Sequence, residues 1–412
     1  MKIEMSGFRK AMFFVATIFV GACGVAEMGV NPALEGIFET YGHGLVGSYV
    51  AGAPCVWMGV SSFACAALMS RFSKKRLIVA GLVVFGIGSI FCVSIEEAWY
   101  FAIMRSLMGI GEGIINTILL AYLAQMFVDK NRHAQFIGAW NFCTMLLGAA
   151  LSYFGGIFAS PEWTGLFVIF WPTVAVLVII VVFVPELDDD VQPLSADSPN
   201  AYERDAGKTD GERFGGLFYA FFVGYILFSM MIGLYKYFTS EYVSVTGLGS
   251  YDVAGAIMTA NTLAGAIASI FFGKIYIALR KKLAIVCSAL GTVALAMMFF
   301  WQGSLAMAYV ASVIFGVGYG LYFSYMFTMV SEVAPRSKVD QAIGLINGGY
   351  SLTFFAIAYI VNFLRPIVSP DAQVVIPQFL LFATLGIVSV AIELATLPAY
   401  KRKGMELELD DL

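Results

Sequence analysis

Charge is scarce in this sequence. Of 412 residues only 13% are Asp, Glu, Lys or Arg, histidine occurs twice, and 60% are hydrophobic. A water-soluble chain needs far more polar surface than this, so most of the chain must face lipid. The two histidines, His43 and His133, fall near opposite membrane faces and cannot act together. No H-E-x-x-H, no Walker A sequence and no strand-borne dinucleotide fingerprint occurs. Enzyme chemistry, a cofactor and direct drive by ATP therefore have no residues to rest on. The six cysteines (Cys23, Cys55, Cys65, Cys92, Cys143, Cys287) sit in or at the ends of apolar runs without C-x-x-C spacing, which excludes a zinc site and a disulfide framework. The net charge of −4 comes mostly from two acidic segments and gives no basic patch for nucleic acid.

What is abundant is long apolar runs, each near or above the roughly 20 residues that cross a hydrocarbon core. They cover 11–38, 44–69, 77–95, 99–127, 134–159, 164–184, 214–240, 249–279, 283–301, 305–333, 341–364 and 376–398. The runs are continuous rather than alternating, so they predict helices and not a barrel. Basic clusters occupy the N-terminus, every second loop and the C-terminus, while the opposite loops carry Glu96, Glu97, Glu162, Asp252 and Asp371 with Arg365 as their one basic residue. That asymmetry predicts cytoplasmic termini and an even number of spans, and twelve fits. The basic N-terminus without a cleavable leader fits a bacterial inner membrane. Residues 185–213 are rich in Asp, Pro, Ser and Gly and read as a solvated cytoplasmic connector. The expected organisation is a six-helix bundle over 1–184, the acidic linker 185–213, a second six-helix bundle over 214–400, and a tail from 401 to 412.

The two halves repeat one another. Gly109-Ile-Gly111-Glu-Gly113 aligns with Gly316-Val-Gly318-Tyr-Gly320, AQFIGAWN at 134–141 with DQAIGLIN at 340–347, Lys74-Lys75-Arg76-Leu77 with Arg280-Lys281-Lys282-Leu283, and Glu35 with Glu241. Order and spacing are kept at an offset of 206 to 207. Paired bundles of this kind can rock about a central site.

On these residues the sequence resembles the major facilitator superfamily. The resemblance spans nearly the whole chain: two six-helix halves, a long cytoplasmic linker, basic turns after the second and eighth spans, and Arg105-x-x-x-Gly109-x-Gly111-x-Gly113 in the fourth span. It implies an all-α membrane fold of twelve helices in two pseudo-symmetric bundles, and secondary transport. The turn ALMSRFSKKR lacks the family's usual Asp and Gly, and GAALSYFGG in the fifth span lacks the antiporter proline, so drug–proton antiport is one alternative among several.

Ionisable residues inside the spans mark the candidate site, because each costs about 2.5–3.5 kcal/mol in hydrocarbon unless paired or hydrated. Arg105 and Glu112 share one helix face with Gly109 and Asn116. They read either as a polar cavity wall or as charges that fix helix packing. Glu27 lies about 16 residues into the first span, at about 1.5 Å per residue just beyond the midplane, a depth that Arg105 shares. A Glu27–Arg105 contact is expected, and protonating Glu27 would then release Arg105. Lys236 either joins Arg105 as an anion site, snorkels to the outer interface, or pairs with Glu241. Asn141 and Asn347, related by the repeat, bind substrate or hydrogen-bond across helices. Tyr319, Tyr322 and Tyr325 line a cavity or pack. Gly109, Gly111 and Gly113 read as close helix packing, and Glu393 and Glu332 as solvated.

The function expected is proton-coupled movement of a small organic solute by alternating access, resting on Glu27, Glu112 and Arg105. Exchange or uptake of an organic anion, resting on Arg105 and Lys236, is the second version. A non-transporting receptor or scaffold is the contrasting class. The partners implied are a small-molecule substrate, protons or a counter-solute, and membrane lipids.

Overall fold

The computed structural model describes residues 7–69, 71–126, 130–184, 213–335, 339–368 and 375–402. The linker read at 185–213 lies outside them except for Arg213, and so does the tail beyond Arg402. All regular structure among the described residues is helical. The elements are α1 (Gly7–Cys23), α2 (Glu27–Val30), a 3-10 turn (Asn31–Ala33), α3 (Leu34–Tyr41), α4 (Leu45–Met69), α5 (Lys74–Ile90), α6 (Ala98–Met126) and α7 (Lys130–Ala159). A second 3-10 segment (Trp163–Phe170) leads into α8 (Pro172–Phe183). Then follow α9 (Gly216–Val245), α10 (Tyr251–Ile270), α11 (Phe272–Leu279), α12 (Lys282–Phe300), α13 (Leu305–Val333), α14 (Val339–Val368) and α15 (Ile376–Arg402).

Each of the twelve spans read from the sequence has a helical counterpart, α1 to α3 forming the first, the 3-10 segment with α8 the sixth, and α10 with α11 the eighth. By length and hydropathy alone eight described helices can cross a membrane, or nine if Ala11–Cys23 and Glu27–Tyr41 count as one. The helices left over are α4, α5 and α6. α5 has 17 residues, a little short of a full span, and α6 carries Arg105, Glu112 and Asn116. Polar residues there lower the hydropathy because they face protein rather than lipid. α8 shows the lipid side: Val174, Val178, Val181 and Val182 form a stripe at helical spacing and are all exposed.

The first span departs from the expectation of one continuous helix. It is broken over residues 24–26, and the two parts meet at 53°. Val25 and Met28 keep only three-residue turns, Val25 N–H to the Ala22 carbonyl and Met28 N–H to the Val25 carbonyl. Gly24 supplies a local reason, since glycine weakens helical continuation, and Pro32 belongs to the 3-10 turn that follows.

The chain forms two compact units, Met1–Asp205 with Gly249–Thr259, and Ala206–Leu248 with Ala260–Leu412. In the first, α6 packs against α4 and α5. The glycines of α6 explain that geometry. A side chain on Gly109 would meet the backbone of Pro54, one on Gly113 would meet Ser61 and Met58, and one on Gly111 would meet the backbone of Phe85. Two glycines thus face α4 and the intervening one faces α5. In the second unit the repeat-related glycines do the same: Gly316 and Gly320 abut Asn261 and Gly265 of α10, and Gly318 abuts Cys287 and Leu290 of α12. The aligned glycine motifs are the same contact made twice.

Candidate functional site

The site is built around the break in the first span. α6 presents Arg105, Glu112 and Asn116 on one face, and each of the three meets that break. Asn116 Nδ2 donates to the Gly24 carbonyl at 2.8 Å, at the end of α1. The Glu112 carboxyl lies beside the backbone N–H groups of Ala26 and Glu27, at the start of α2. A broken helix leaves carbonyls and N–H groups unpaired in a place with no water to satisfy them. Here α6 supplies a donor to the Gly24 carbonyl and sets a carboxyl beside the N–H groups.

Arg105 completes the arrangement. Its guanidinium holds Glu27 with two parallel bonds, Nη1 to Oε1 at 2.7 Å and Nη2 to Oε2 at 2.9 Å. Arg105 is fully buried, and the Glu27 side chain is 18% exposed. Arg105 also donates from Nε to the Val50 carbonyl at 3.3 Å and from Nη2 to the Ala51 carbonyl at 3.2 Å. The Val50 contact follows from Pro54 inside α4. Proline has no N–H, so the carbonyl four residues earlier loses its helical donor. Gly109, one turn beyond Arg105, lets the Pro54 backbone come close enough for the guanidinium to replace that donor.

Glu112 is buried, and its Oε1 atom has no hydrogen-bond partner. The cluster therefore holds two carboxyls and one guanidinium, with electrostatic coupling among all three. Chemically this is a place where a proton can exchange with an ion pair. If Glu27 accepts a proton, the bidentate pairing is lost, while the contacts of Arg105 with the Val50 and Ala51 carbonyls and the Met108 sulfur remain.

The repeat does not duplicate this chemistry. The second-half positions related to Arg105, Glu112 and Asn116 are Ser312, Tyr319 and Phe323. Ser312 accepts from the Tyr235 hydroxyl at 2.7 Å, and its carbonyl accepts from Asn261 Nδ2 at 3.0 Å. At these three aligned positions the first unit has Arg, Glu and Asn, and the second has Ser, Tyr and Phe.

The remaining sequence-derived candidates are distributed differently. Lys236 is half-buried and lies 4.6 Å from the centre of the Tyr319 ring, a cation–π arrangement. It does not pair with Glu241. That carboxylate is taken by Arg365 of α14, at 2.5 and 2.8 Å, both side chains being buried. Tyr322 and Tyr325 are buried and packed rather than lining open space. Asn347 on α14 is exposed, and the side chain of Asn141 on α7 lies outside the described residues, as does that of Glu332.

Glu393 corrects the reading of a solvated carboxyl. α15 runs on to Arg402, so Glu393 sits within the helix packed against α12 and α9. Its Oε1 accepts from Tyr322, Ser288 and Ser389, and its Oε2 is buried without a partner.

Comparison with known proteins agrees with this architecture. A family model described as Major Facilitator Superfamily matches residues 13–358 and 214–405. A Mycobacterium tuberculosis protein named drug efflux pump JefA is 26% identical over 170 residues, covering 40% of this chain and 32% of that protein. The Bacillus subtilis methylenomycin A resistance protein is 27% identical over 104 residues, covering 25% of this chain and 22% of that one. The chain thus matches about a third or less of the length of these relatives. Among solved structures, a bacterial homologue of the lysosomal transporter Spinster superposes with a TM-score of 0.74 at 14% identity, covering 95% of this chain and 97% of that one. A D-xylose–proton symporter superposes with a TM-score of 0.71 at 13% identity, covering 93% and 96%. At such identities the likeness establishes the fold.

Proposed function

The chain belongs to the Major Facilitator Superfamily, and on that premise we propose that it moves a small organic solute across the membrane by alternating access, coupled to protons. The observation that carries this reading is the buried, bidentate Glu27–Arg105 pair set at a break in the first span, with Glu112 beside it. A permanent ion pair in hydrocarbon is costly, and a neutral packing contact of the same volume is often as stable. A pair that opens and closes with a proton has a use for its charge. The break gives the event a mechanical outlet, because α1 and α2 can change their mutual angle when the guanidinium lets go.

The two repeat-related bundles, 1–184 and 214–400, would be the rocking bodies, and the linker 185–213 the tether between them. Lysine and arginine placement supports cytoplasmic termini in a bacterial inner membrane. The names of the relatives, a drug efflux pump and a proton symporter for xylose, are consistent with a proton-coupled carrier and differ in substrate. An organic-anion exchanger draws less support, since Arg105 is already held by Glu27 and Lys236 by Tyr319.

Reconstitution in liposomes separates these readings. Labelled sugars, lipophilic drugs and carboxylates are offered with and without an imposed pH gradient. Accumulation of one class that requires the gradient and collapses with a protonophore is the expected result. Gradient-independent exchange of carboxylates would instead establish the anion carrier, and absence of flux for every class would favour a non-transporting protein.

A further inference from the structure

The second unit contains a buried carboxyl that the reading above does not use. Glu393 on α15 is surrounded by neutral oxygens only. Tyr322 of α13 donates to Oε1 at 3.2 Å, Ser288 of α12 at 3.4 Å and Ser389 of α15 at 3.5 Å. The two serine hydroxyls lie 3.2 Å apart, and the single Ser389 proton is shared between Glu393 and the Gly224 carbonyl of α9, 3.4 Å away. The other titratable groups facing it are Cys287 on α12 and Tyr322 and Tyr325 on α13, with Tyr225 of α9 stacked on Tyr322. No lysine, arginine or histidine among the described residues interacts with it.

A carboxylate in that position has no counter-charge, which distinguishes it from Glu27 and Glu241, each held by an arginine. Three hydroxyls bonding one oxygen cannot neutralise it, and Oε2 is buried without a donor. The missing component is one positive charge. The oxygen spacings, 3.2 to 3.5 Å, exceed the roughly 2.7–2.8 Å typical of hydroxyl hydrogen bonds. They leave Ser288, Ser389 and Glu393 as a triangle whose edges suit oxygens about 2.3–2.6 Å from a shared hard cation. Gly224 keeps one side open: a methyl group there would stand 3.5 Å from Glu393 Oε1 and 3.8 Å from Ser389 Oγ.

We propose that the cluster formed by Glu393, Ser288, Ser389 and Tyr322 is an exchangeable monovalent-cation site of the second unit, filled by a proton or by a sodium ion. It is separate from the Glu27–Arg105 pair and does not require that pair to be the coupling device.

Thermal unfolding of the purified full-length protein in detergent tests this directly, because a ligand that binds only the folded state raises the melting temperature. Sodium chloride is titrated against choline chloride at fixed pH and ionic strength, and a pH series is run in choline chloride alone. A saturable upward shift with sodium identifies sodium as the occupant. A shift confined to the pH series identifies the proton. In either case Glu393→Gln should lose that shift and melt no lower than the unoccupied wild-type protein, since the amide keeps the hydroxyl contacts and carries no charge. Gly224→Ala should fold normally and need a higher cation concentration for the same shift, while Glu27→Gln should keep a sodium-dependent shift intact. Identical sodium and pH responses in the wild-type and Glu393→Gln proteins would overturn the proposal. So would a glutamine variant that melts well below the wild type under all conditions, because a merely structural carboxylate behaves that way.

Discussion

Replacing Arg105 with methionine is expected to lower the unfolding free energy by about 3–5 kcal/mol and to abolish solute transport. Three losses combine. Glu27 is left as a half-buried carboxyl without its two parallel bonds. The Val50 carbonyl, already without a helical donor because of Pro54, loses its substitute. Glu112 loses a neighbouring positive charge. The first two losses are separable by a double-mutant cycle. Glu27→Gln combined with Arg105→Met should recover much of the stability, because neither partner then remains as a lone charge, but should not recover coupled transport. Additive losses in the double variant, measured by unfolding in detergent, would show that the two side chains do not act as a pair.

The second large effect is expected at the other buried pair. Arg365→Met should also cost about 3–5 kcal/mol, since Glu241 is buried on α9 against α14. Arg365→Lys should rescue only part of this, because an ammonium cannot reproduce two parallel contacts together with the Asn362 contact at 3.3 Å. The two pairs differ in environment. Glu27 is partly exposed and lies at a broken helix, whereas Glu241 and Arg365 are enclosed on both sides within continuous helices. The double variant Glu241→Gln with Arg365→Met is therefore expected to regain stability and to retain the pH-gradient dependence of transport. Loss of that dependence in a well-folded double variant would assign this pair to coupling as well.

Much of this was legible in the residues themselves. Continuous apolar runs specify membrane helices because lipid imposes both their length and their backbone pairing. The glycine motifs specify close helix contacts because only the absence of a side chain allows them, and Gly109 and Gly316 make equivalent contacts in the two units. The Glu27–Arg105 contact was accessible from depth alone, since two charges at one level in hydrocarbon have few other partners.

What escaped was lateral order. Hydropathy reports how deep a residue lies and not which helix it faces. Arg365 and Glu241 are 124 positions apart, and Glu393 and Tyr322 are 71 apart. Glu393 read as solvated because it lies near the cytoplasmic end of its span, yet α15 continues nine residues beyond it, about 13 Å of helix. One signal was present but unused. Pro54 removes a donor inside a span, so the Val50 carbonyl needed a partner from another helix, and a buried arginine is the side chain best able to reach it. The break at residues 24–26 had a similar precursor in Gly24, hidden because the run stays apolar throughout.

The central claim is that protonation of Glu27 frees Arg105 and so couples solute movement to the proton gradient. The most direct measurement is solute-driven proton movement in proteoliposomes, comparing the wild-type protein with Glu27→Gln. The account predicts that the glutamine variant still equilibrates solute down its concentration gradient while moving no protons and accumulating nothing under an imposed pH gradient. Solute-driven proton movement of wild-type size in Glu27→Gln would contradict it.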